Sequence, residues 1–173
     1  VDRVGDHFLA VYLKDARSLV RVFDLKGKYV RDVDLPGIGT AMGFHGKRHD
    51  KETFYSFTSF TSPSSIYRYD VATGQSALWK QPKLKFDPSN YETTQSFYTS
   101  KDGTKIPIFL SHKKGLQRDG SNPVLLYGYG GFNISIKPGF KPADLAWMEM
   151  GGIHAVANLR GGGEYGEEWH QAG

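Results

Sequence analysis

A glycine-rich loop offers a side chain that could stabilise negative charge. Residues 128–131, GYGG, follow the short apolar run 124–126, which predicts a buried strand of a parallel sheet. Ligands of open α/β sheets bind beyond the carboxyl ends of the strands, so the loop is expected to form one wall of a site. The hydroxyl of Tyr129 could donate a hydrogen bond to the oxyanion of an acyl-transfer reaction, as the equivalent loop does in α/β-hydrolases. Alternatively, Tyr127 and Tyr129 only pack in a turn, and their spacing does not separate the two hypotheses.

A second glycine-rich stretch, RGGGEYG at residues 160–166, matches the Gly-x-Gly-x-x-Gly pattern of dinucleotide sites. Two features argue against that function. Glu164 would repel a pyrophosphate, and the preceding strand is not the first of its unit. We therefore expect a glycine hinge in which Arg160 and Glu164 make local ion pairs or hydrogen bonds, with NAD binding as the alternative.

Other side chains provide no recognisable catalytic or metal-binding pattern. The chain has no cysteine, which excludes disulfides and zinc-finger sites, and no Gly-x-Ser-x-Gly nucleophile motif. The serines of TSFTSPSS, residues 58–65, are expected to satisfy backbone groups in a turn. The histidines have no metal-ligand spacing and are expected at surfaces or turns: His7, His45, His49, His112, His154 and His170.

The elements before residue 82 are short predicted strands separated by turns. Their spacing predicts one four-stranded blade of a β-propeller and most of another, with a β-sandwich as the alternative. The predicted strands cover residues 8–13, 19–24, 29–35, 41–45, 53–58, 65–70 and 76–80.

The composition changes in QPKLKFDP, residues 81–88, where two prolines interrupt the strand pattern. We place the domain boundary here, giving incomplete propeller blades over residues 1–86 and an incomplete α/β domain over residues 87–173. The second part is predicted to contain a hairpin, then strand, helix, strand and helix. These elements are expected at 92–99, 105–111, 124–126, 142–150, 153–159 and 166–171.

Charge and hydropathy exclude several classes of partner. The net charge of +4 comes from scattered rather than clustered Lys and Arg residues, which argues against nucleic-acid binding. No apolar run approaches the roughly 18 residues of a membrane span, and the first residues have no signal-peptide pattern. We expect no membrane association and favour a cytoplasmic location, with a periplasmic or secreted one left open. Both ends of the chain look cut from something longer.

Four longer motifs resemble the prolyl oligopeptidase family of serine peptidases. They are FYSFTSFTSPSSIYRYD at 54–70, SKDGTKIPIF at 100–109, LLYGYGGFNIS at 125–135 and ANLRGGGEYGEEWH at 157–170. The resemblance implies a mixed fold, with the C-terminal blades of a seven-bladed β-propeller followed by the N-terminal part of an α/β-hydrolase domain. It also implies a monomeric enzyme, without a cofactor, that hydrolyses short peptides on the carboxyl side of proline.

The resemblance assigns roles to two residues of the glycine loop. Tyr129 corresponds to the tyrosine whose hydroxyl helps to bind the oxyanion, and Phe132 to the phenylalanine of the proline pocket. In the family the serine, aspartate and histidine follow the last residue of this chain, so residues 1–173 alone are expected to be inactive and poorly stable. The alternatives are an oligopeptidase B, an acylaminoacyl peptidase, or a non-catalytic propeller module that binds a partner.

Overall fold

The computed structural model describes residues 1–173 as three four-stranded sheets with two short helices. The first sheet contains β1 (Asp2–Val4), β2 (His7–Lys14), β3 (Arg17–Asp24) and β4 (Tyr29–Asp32). The second contains β5 (Thr40–Gly43), β6 (Glu52–Thr58), β7 (Ser65–Asp70) and β8 (Ser76–Lys80). The third contains β9 (Tyr91–Thr99), β10 (Lys105–Lys113), β11 (Val124–Gly128) and β12 (Ile153–Ala157), with α1 (Pro142–Glu149) and α2 (Glu167–Gln171) in the same part of the chain.

The first two sheets are complete antiparallel blades. In each, the strands pair in sequence order, β1-β2-β3-β4 and β5-β6-β7-β8. The prediction of one blade and most of another was therefore wrong by one strand. The missing strand, Asp2–Val4, has three residues, which is too short for the alternation of apolar and polar residues to be recognised.

The two blades share one apolar core. Phe44 is fully buried, stacks on Tyr55 with ring centroids 4.5 Å apart and meets Tyr69 edge-on at 6.4 Å. Side chains of both blades complete the cluster: Val4, Leu9, Val20, Val22, Val33, Ala41, Phe57 and Val71. Because one cluster joins both sheets, the blades stabilise each other through burial of apolar surface.

The third sheet has the strand order β11-β12-β10-β9. The hairpin β9–β10 is antiparallel, β12 pairs with β10 in the antiparallel sense, and β11 runs parallel to β12. The predicted helices and both later strands are present, as expected for the start of an α/β domain. This sheet positions the glycine loop, because the loop begins where β11 ends.

The predicted burial of residues 124–126 was wrong. All five residues of β11 are exposed, because β11 lies at the edge of the sheet and α1 packs mainly against β10 and β12 instead of covering it. The buried strand is β12, in which all five residues are buried. An apolar run predicts that a strand can be covered on both faces, but its position within the sheet decides whether it is.

The blades contact the α/β part of the chain through the turn between β2 and β3. Ala16, at the tip of this turn, is fully buried in a second cluster with Phe60, Phe109 and Val156. The side chain of Tyr165 donates a 2.9 Å hydrogen bond to the carboxylate of Asp15. The contact therefore combines apolar packing with direct hydrogen bonds between the two parts of the chain.

Candidate functional site

The glycine loop, which in the structure runs from Gly128 at the end of β11 to Ile136, has an unusual backbone. Phe132 and Asn133 are both left-handed, with φ of 53° and 57°, although neither is glycine. Such conformations cost on the order of 1–3 kcal/mol each and persist only where the surroundings impose them. One constraint is visible directly, because the amide of Asn133 donates a 3.0 Å hydrogen bond to the carbonyl of Gly161.

The glycine loop lies in backbone contact with the second glycine-rich stretch. A Cβ atom added to Gly130 would lie 2.6 Å from the carbonyl oxygen of Arg160, and one added to Gly161 would lie 2.3 Å from that of Gly130. Distances below 3.0 Å are not tolerated by real Cβ atoms. Each stretch therefore needs glycine because the other stretch approaches it so closely.

The structure places both predicted site residues on this loop with exposed side chains. Tyr129 is 45% exposed and Phe132 is 85% exposed. The hydroxyl of Tyr129 makes no hydrogen bond within the chain, so it is free to donate to a ligand. The catalytic and binding roles of these two residues remain predictions.

Arg160 and Glu164 make hydrogen bonds as predicted, but most of their partners are distant in sequence rather than local. The buried carboxylate of Glu164 accepts hydrogen bonds from the amide of Ile136 at 2.8 Å and from the side chain of Asn158 at 3.1 Å. The same nitrogen of Asn158 donates to the carbonyl of Ile136 at 2.7 Å. This network joins the end of β12 to Ile136, at the far end of the glycine loop.

Arg160 connects the same stretch to the hairpin turn between β9 and β10. Its guanidinium binds the carboxylate of Asp102 and lies 3.4 Å from the hydroxyl oxygens of Thr104 and Ser100. The hydrogen bond from Arg160 is the main cause that lowers the pKa of Asp102 to about 2, and the amide of Thr104 adds to it. The hairpin is thereby fixed to the end of β12 by an ion pair.

Two of the six histidines are not at the surface as predicted. His112 is 3% exposed and His154 is 5% exposed. The Nε2 atom of His154 lies 3.6 Å from the carboxylate of Asp144, and its ring meets the edge of Phe60 with centroids 5.7 Å apart. Burial lowers the pKa of His154, while the charge of Asp144 opposes that shift. The predicted buried strand 153–159 already contained this histidine, so its burial could have been predicted.

The cavities of the chain lie away from the two predicted site residues. A cleft of about 350 Å³ opens between the second blade and β9, beside Ile38, Phe57 and Tyr91. A smaller cavity, about 150 Å³, borders Phe60 and His154. Neither is lined by Tyr129 or Phe132, so within this chain the candidate site is an exposed loop rather than an enclosed pocket.

Two family models match the chain. Residues 1–82 match the model described as "Prolyl oligopeptidase, N-terminal beta-propeller domain", and residues 138–173 match "Prolyl oligopeptidase family". The chain belongs to the prolyl oligopeptidase family. Its fold is accordingly a pair of propeller blades followed by the first part of an α/β-hydrolase domain.

Relatives with known names match the chain from end to end. The chain is 53% identical to a prolyl endopeptidase of Elizabethkingia miricola, covering 100% of this chain and 24% of that protein. It is 40% identical to a prolyl endopeptidase of Dictyostelium discoideum, covering 97% of this chain and 22% of that protein. The chain therefore spans about a quarter of the length of the curated relatives it matches.

Solved structures of the family have the same fold. A structure from a comparison of two prolyl endopeptidases matches with a TM-score of 0.85 and 53% identity, over 98% of this chain and 25% of that one. Prolyl oligopeptidase B from Galerina marginata, without ligand, matches with a TM-score of 0.88 and 32% identity, over 99% and 25% of the two chains. None of the helices in this chain is long and apolar enough to cross a membrane.

Proposed function

We propose that this chain forms part of a prolyl endopeptidase, a serine peptidase that hydrolyses short peptides on the carboxyl side of proline. The observation that carries the proposal is the exposed, backbone-constrained loop bearing Tyr129 and Phe132 at the carboxyl end of β11. The 53% identity to a protein named prolyl endopeptidase supports the same activity.

In this proposal Tyr129 stabilises the transition state. Attack on the scissile carbonyl places negative charge on its oxygen, and a fixed hydroxyl donor binds that oxygen more strongly than the neutral ground state. The unpaired hydroxyl of Tyr129 is available for this bond. Tyr129 directly follows Gly128, the last residue of β11, so its backbone is anchored to the edge of the sheet.

Phe132 supplies an apolar surface for proline. A flat ring can cover the pyrrolidine ring, which lacks an N–H group and so requires no hydrogen-bond partner in its pocket. The 85% exposure of Phe132 fits a side chain that becomes covered by substrate or by other parts of the protein. A structural role in the core of this chain does not account for such an exposed aromatic ring.

The nucleophile, its histidine base and its carboxylate belong, in this proposal, to residues outside 1–173. A histidine that takes the serine proton and a carboxylate that orients the histidine would complete the reaction. The chain contains no Gly-x-Ser-x-Gly motif, and it spans a quarter of its relatives. The reaction requires no metal or organic cofactor.

We also propose the division at residues 86 and 87 as the boundary between the propeller and hydrolase domains. Strands β1–β8 pair only within the two blades, and β9–β12 pair only within the third sheet. We further propose that the intact protein is a monomer in the cytoplasm. It acts on short proline-containing peptides and binds neither nucleic acid nor membrane.

The proposal is tested with the intact protein and two fluorogenic peptides that differ only in proline or alanine before the cleaved bond. We expect efficient cleavage of the proline peptide alone, and loss of activity with a serine-directed phosphonate inhibitor. Equal cleavage of both peptides would contradict proline specificity. No cleavage of either would favour a non-catalytic binding module.

The role of Phe132 is tested by substitution. We expect Phe132→Ala to reduce the ratio of kcat/KM between the two peptides by about ten- to two-hundred-fold, the range for lost apolar contacts in a specificity pocket. Phe97→Ala removes another exposed aromatic ring, on β9, and serves as the control. An unaltered ratio in Phe132→Ala would show that this ring does not select proline.

A further inference from the structure

We propose that Glu164 is a positioning residue that holds the glycine loop in the conformation presenting Tyr129 and Phe132. The inference rests on the proposed peptidase function, which it deepens by giving a role to the RGGGEYG stretch. Glu164 belongs to the RGGGEYG stretch that packs against the glycine loop. The hydrogen-bond partners of its side chain are Ile136 and Asn158.

Glu164 is a buried acceptor with little freedom. The residue is 5% exposed, and its Oε1 atom accepts both hydrogen bonds, one of them from the backbone amide of Ile136. The other oxygen has no partner and lies against Gly162, where an added Cβ would be 2.2 Å away. A buried carboxylate with one unpaired oxygen is costly for stability alone, which points to a constraint on geometry.

Asn158 completes the attachment of Ile136. Asn158 is fully buried. Its backbone N–H donates to the carbonyl of Pro107 at 3.0 Å, and its side-chain Nδ2 donates to the carbonyl of Ile136 at 2.7 Å. Together the two side chains bind both the N–H and the C=O of Ile136, a residue outside any helix or strand. Backbone groups in such segments need partners, and here the partners are two side chains from the segment that follows β12.

The attachment at Ile136 fixes the far end of the loop. The near end begins at Gly128 in β11, which pairs with Ala157, and the middle is held by the hydrogen bond from Asn133 to Gly161. Between these points lie the exposed Phe132 and the left-handed pair of residues 132–133. Because Phe132 packs on so little, the position of its ring depends mainly on the backbone contacts of the loop.

Release of Ile136 would therefore let the strained pair relax. Without the carboxylate, the amide of Ile136 loses a charge-assisted hydrogen bond, and Asn158 loses one of its two acceptors. Substrate binding and the oxyanion contact would then depend on a loop that samples several conformations. We expect fewer enzyme–substrate complexes to place the Tyr129 hydroxyl correctly, and complexes without that contact are not turned over, so kcat falls.

The test uses the intact protein with Glu164→Ala, Glu164→Gln and the control Glu168→Ala, which removes an exposed carboxylate from α2. Glutamine keeps an acceptor oxygen for the amide of Ile136. We expect Glu164→Ala to raise hydrogen exchange in residues 128–136 and to lower kcat by about tenfold or more, the effect of losing one charged hydrogen bond. Glu164→Gln should restore most of both, and Glu168→Ala should change neither.

Each outcome supports or contradicts a separate part of the inference. Unchanged exchange in residues 128–136 of Glu164→Ala would overturn the idea that this carboxylate holds the loop. Raised exchange with unchanged kcat, or a lower Tm with unchanged kcat, would overturn the positioning role and leave a structural one. If the wild-type protein does not cleave the proline peptide, the proposed function fails, and the exchange data alone then decide whether Glu164 holds the loop.

Discussion

The paired blades and the glycine loop keep their shapes by different means. Eleven buried apolar residues of the two blades form one cluster, and regular strand pairing satisfies the backbone. In the loop, Phe132 is 85% exposed, and the backbone is held by close glycine contacts and by hydrogen bonds to Asn158 and Glu164. Apolar burial stabilises the blades without specifying single atoms, whereas the loop depends on particular donors and acceptors.

This difference predicts different responses to substitution. Loss of an apolar side chain from the blades should lower the free energy of unfolding substantially while leaving the loop geometry unchanged. An added methyl group in the glycine loop should displace the loop backbone and lower the free energy of unfolding by a smaller amount. The following predictions test that contrast in the intact protein, from the largest expected effect on stability to the smallest.

The largest effect is expected for Phe44→Ala in the blade core. This side chain is fully buried between Tyr55 and Tyr69, and its loss should reduce the free energy of unfolding by about 3–5 kcal/mol. The measurement is the shift of the urea midpoint, with kcat taken well below the unfolding transition. Phe54→Ala is the control, because Phe54 lies on β6 with an exposed ring and should cost about 1 kcal/mol. Equal losses in the two variants would contradict the description of the core.

A smaller loss of stability is expected for Gly130→Ala. The new Cβ would occupy a left-handed residue with φ of 57° and lie 2.6 Å from the carbonyl oxygen of Arg160, so the loop must move. We expect a cost of about 1–3 kcal/mol, together with a fall in turnover that Phe44→Ala does not produce. Gly131→Ala is the control for stability, since its Cβ would meet only the ring of Tyr129 at an ordinary 3.7 Å. Wild-type stability and turnover in Gly130→Ala would refute the close contact of the two loops.

The smallest effect is a pH dependence at His154. Burial lowers its pKa below the ordinary value of 6.5, so the unfolded chain takes up a proton at a higher pH than the folded chain. The contribution of the neutral ring to the free energy of unfolding is therefore complete above about pH 6.5. It is lost as the pH falls toward the lower pKa of the folded chain. We expect the Tm of the wild type to fall relative to that of His154→Leu between pH 7 and pH 5, with exposed His49→Gln as the control. A constant difference in Tm would contradict the assigned shift.

Regular elements were predictable where a repeating pattern reflects burial. Alternation of apolar and polar residues identified seven of the blade strands, and only the three-residue β1 escaped. Helical spacing of apolar residues identified α1, and β12 was predicted as a buried strand, as observed. The exposure of β11 was not, because the residues of a strand do not reveal how many neighbours it has in the sheet.

The candidate site was predictable only in part. Tyr129 and Phe132 were identified through their motif and do share one exposed loop. The attachment of Ile136 by Asn158 and Glu164 was not predicted, because the partners lie 22 and 28 residues away and their pairing depends on the folded sheet. The local bonds expected for Glu164 indicated that it has partners without indicating which ones.

The most direct test of the account is the turnover of Tyr129→Phe in the intact protein. This change removes one hydroxyl from an exposed ring, so the fold and the Tm should be unchanged. We predict that kcat for the proline peptide falls by about a hundred- to a thousand-fold, as for other oxyanion donors, while KM changes little. Wild-type turnover in Tyr129→Phe would contradict the role assigned to Tyr129 and to the loop that presents it.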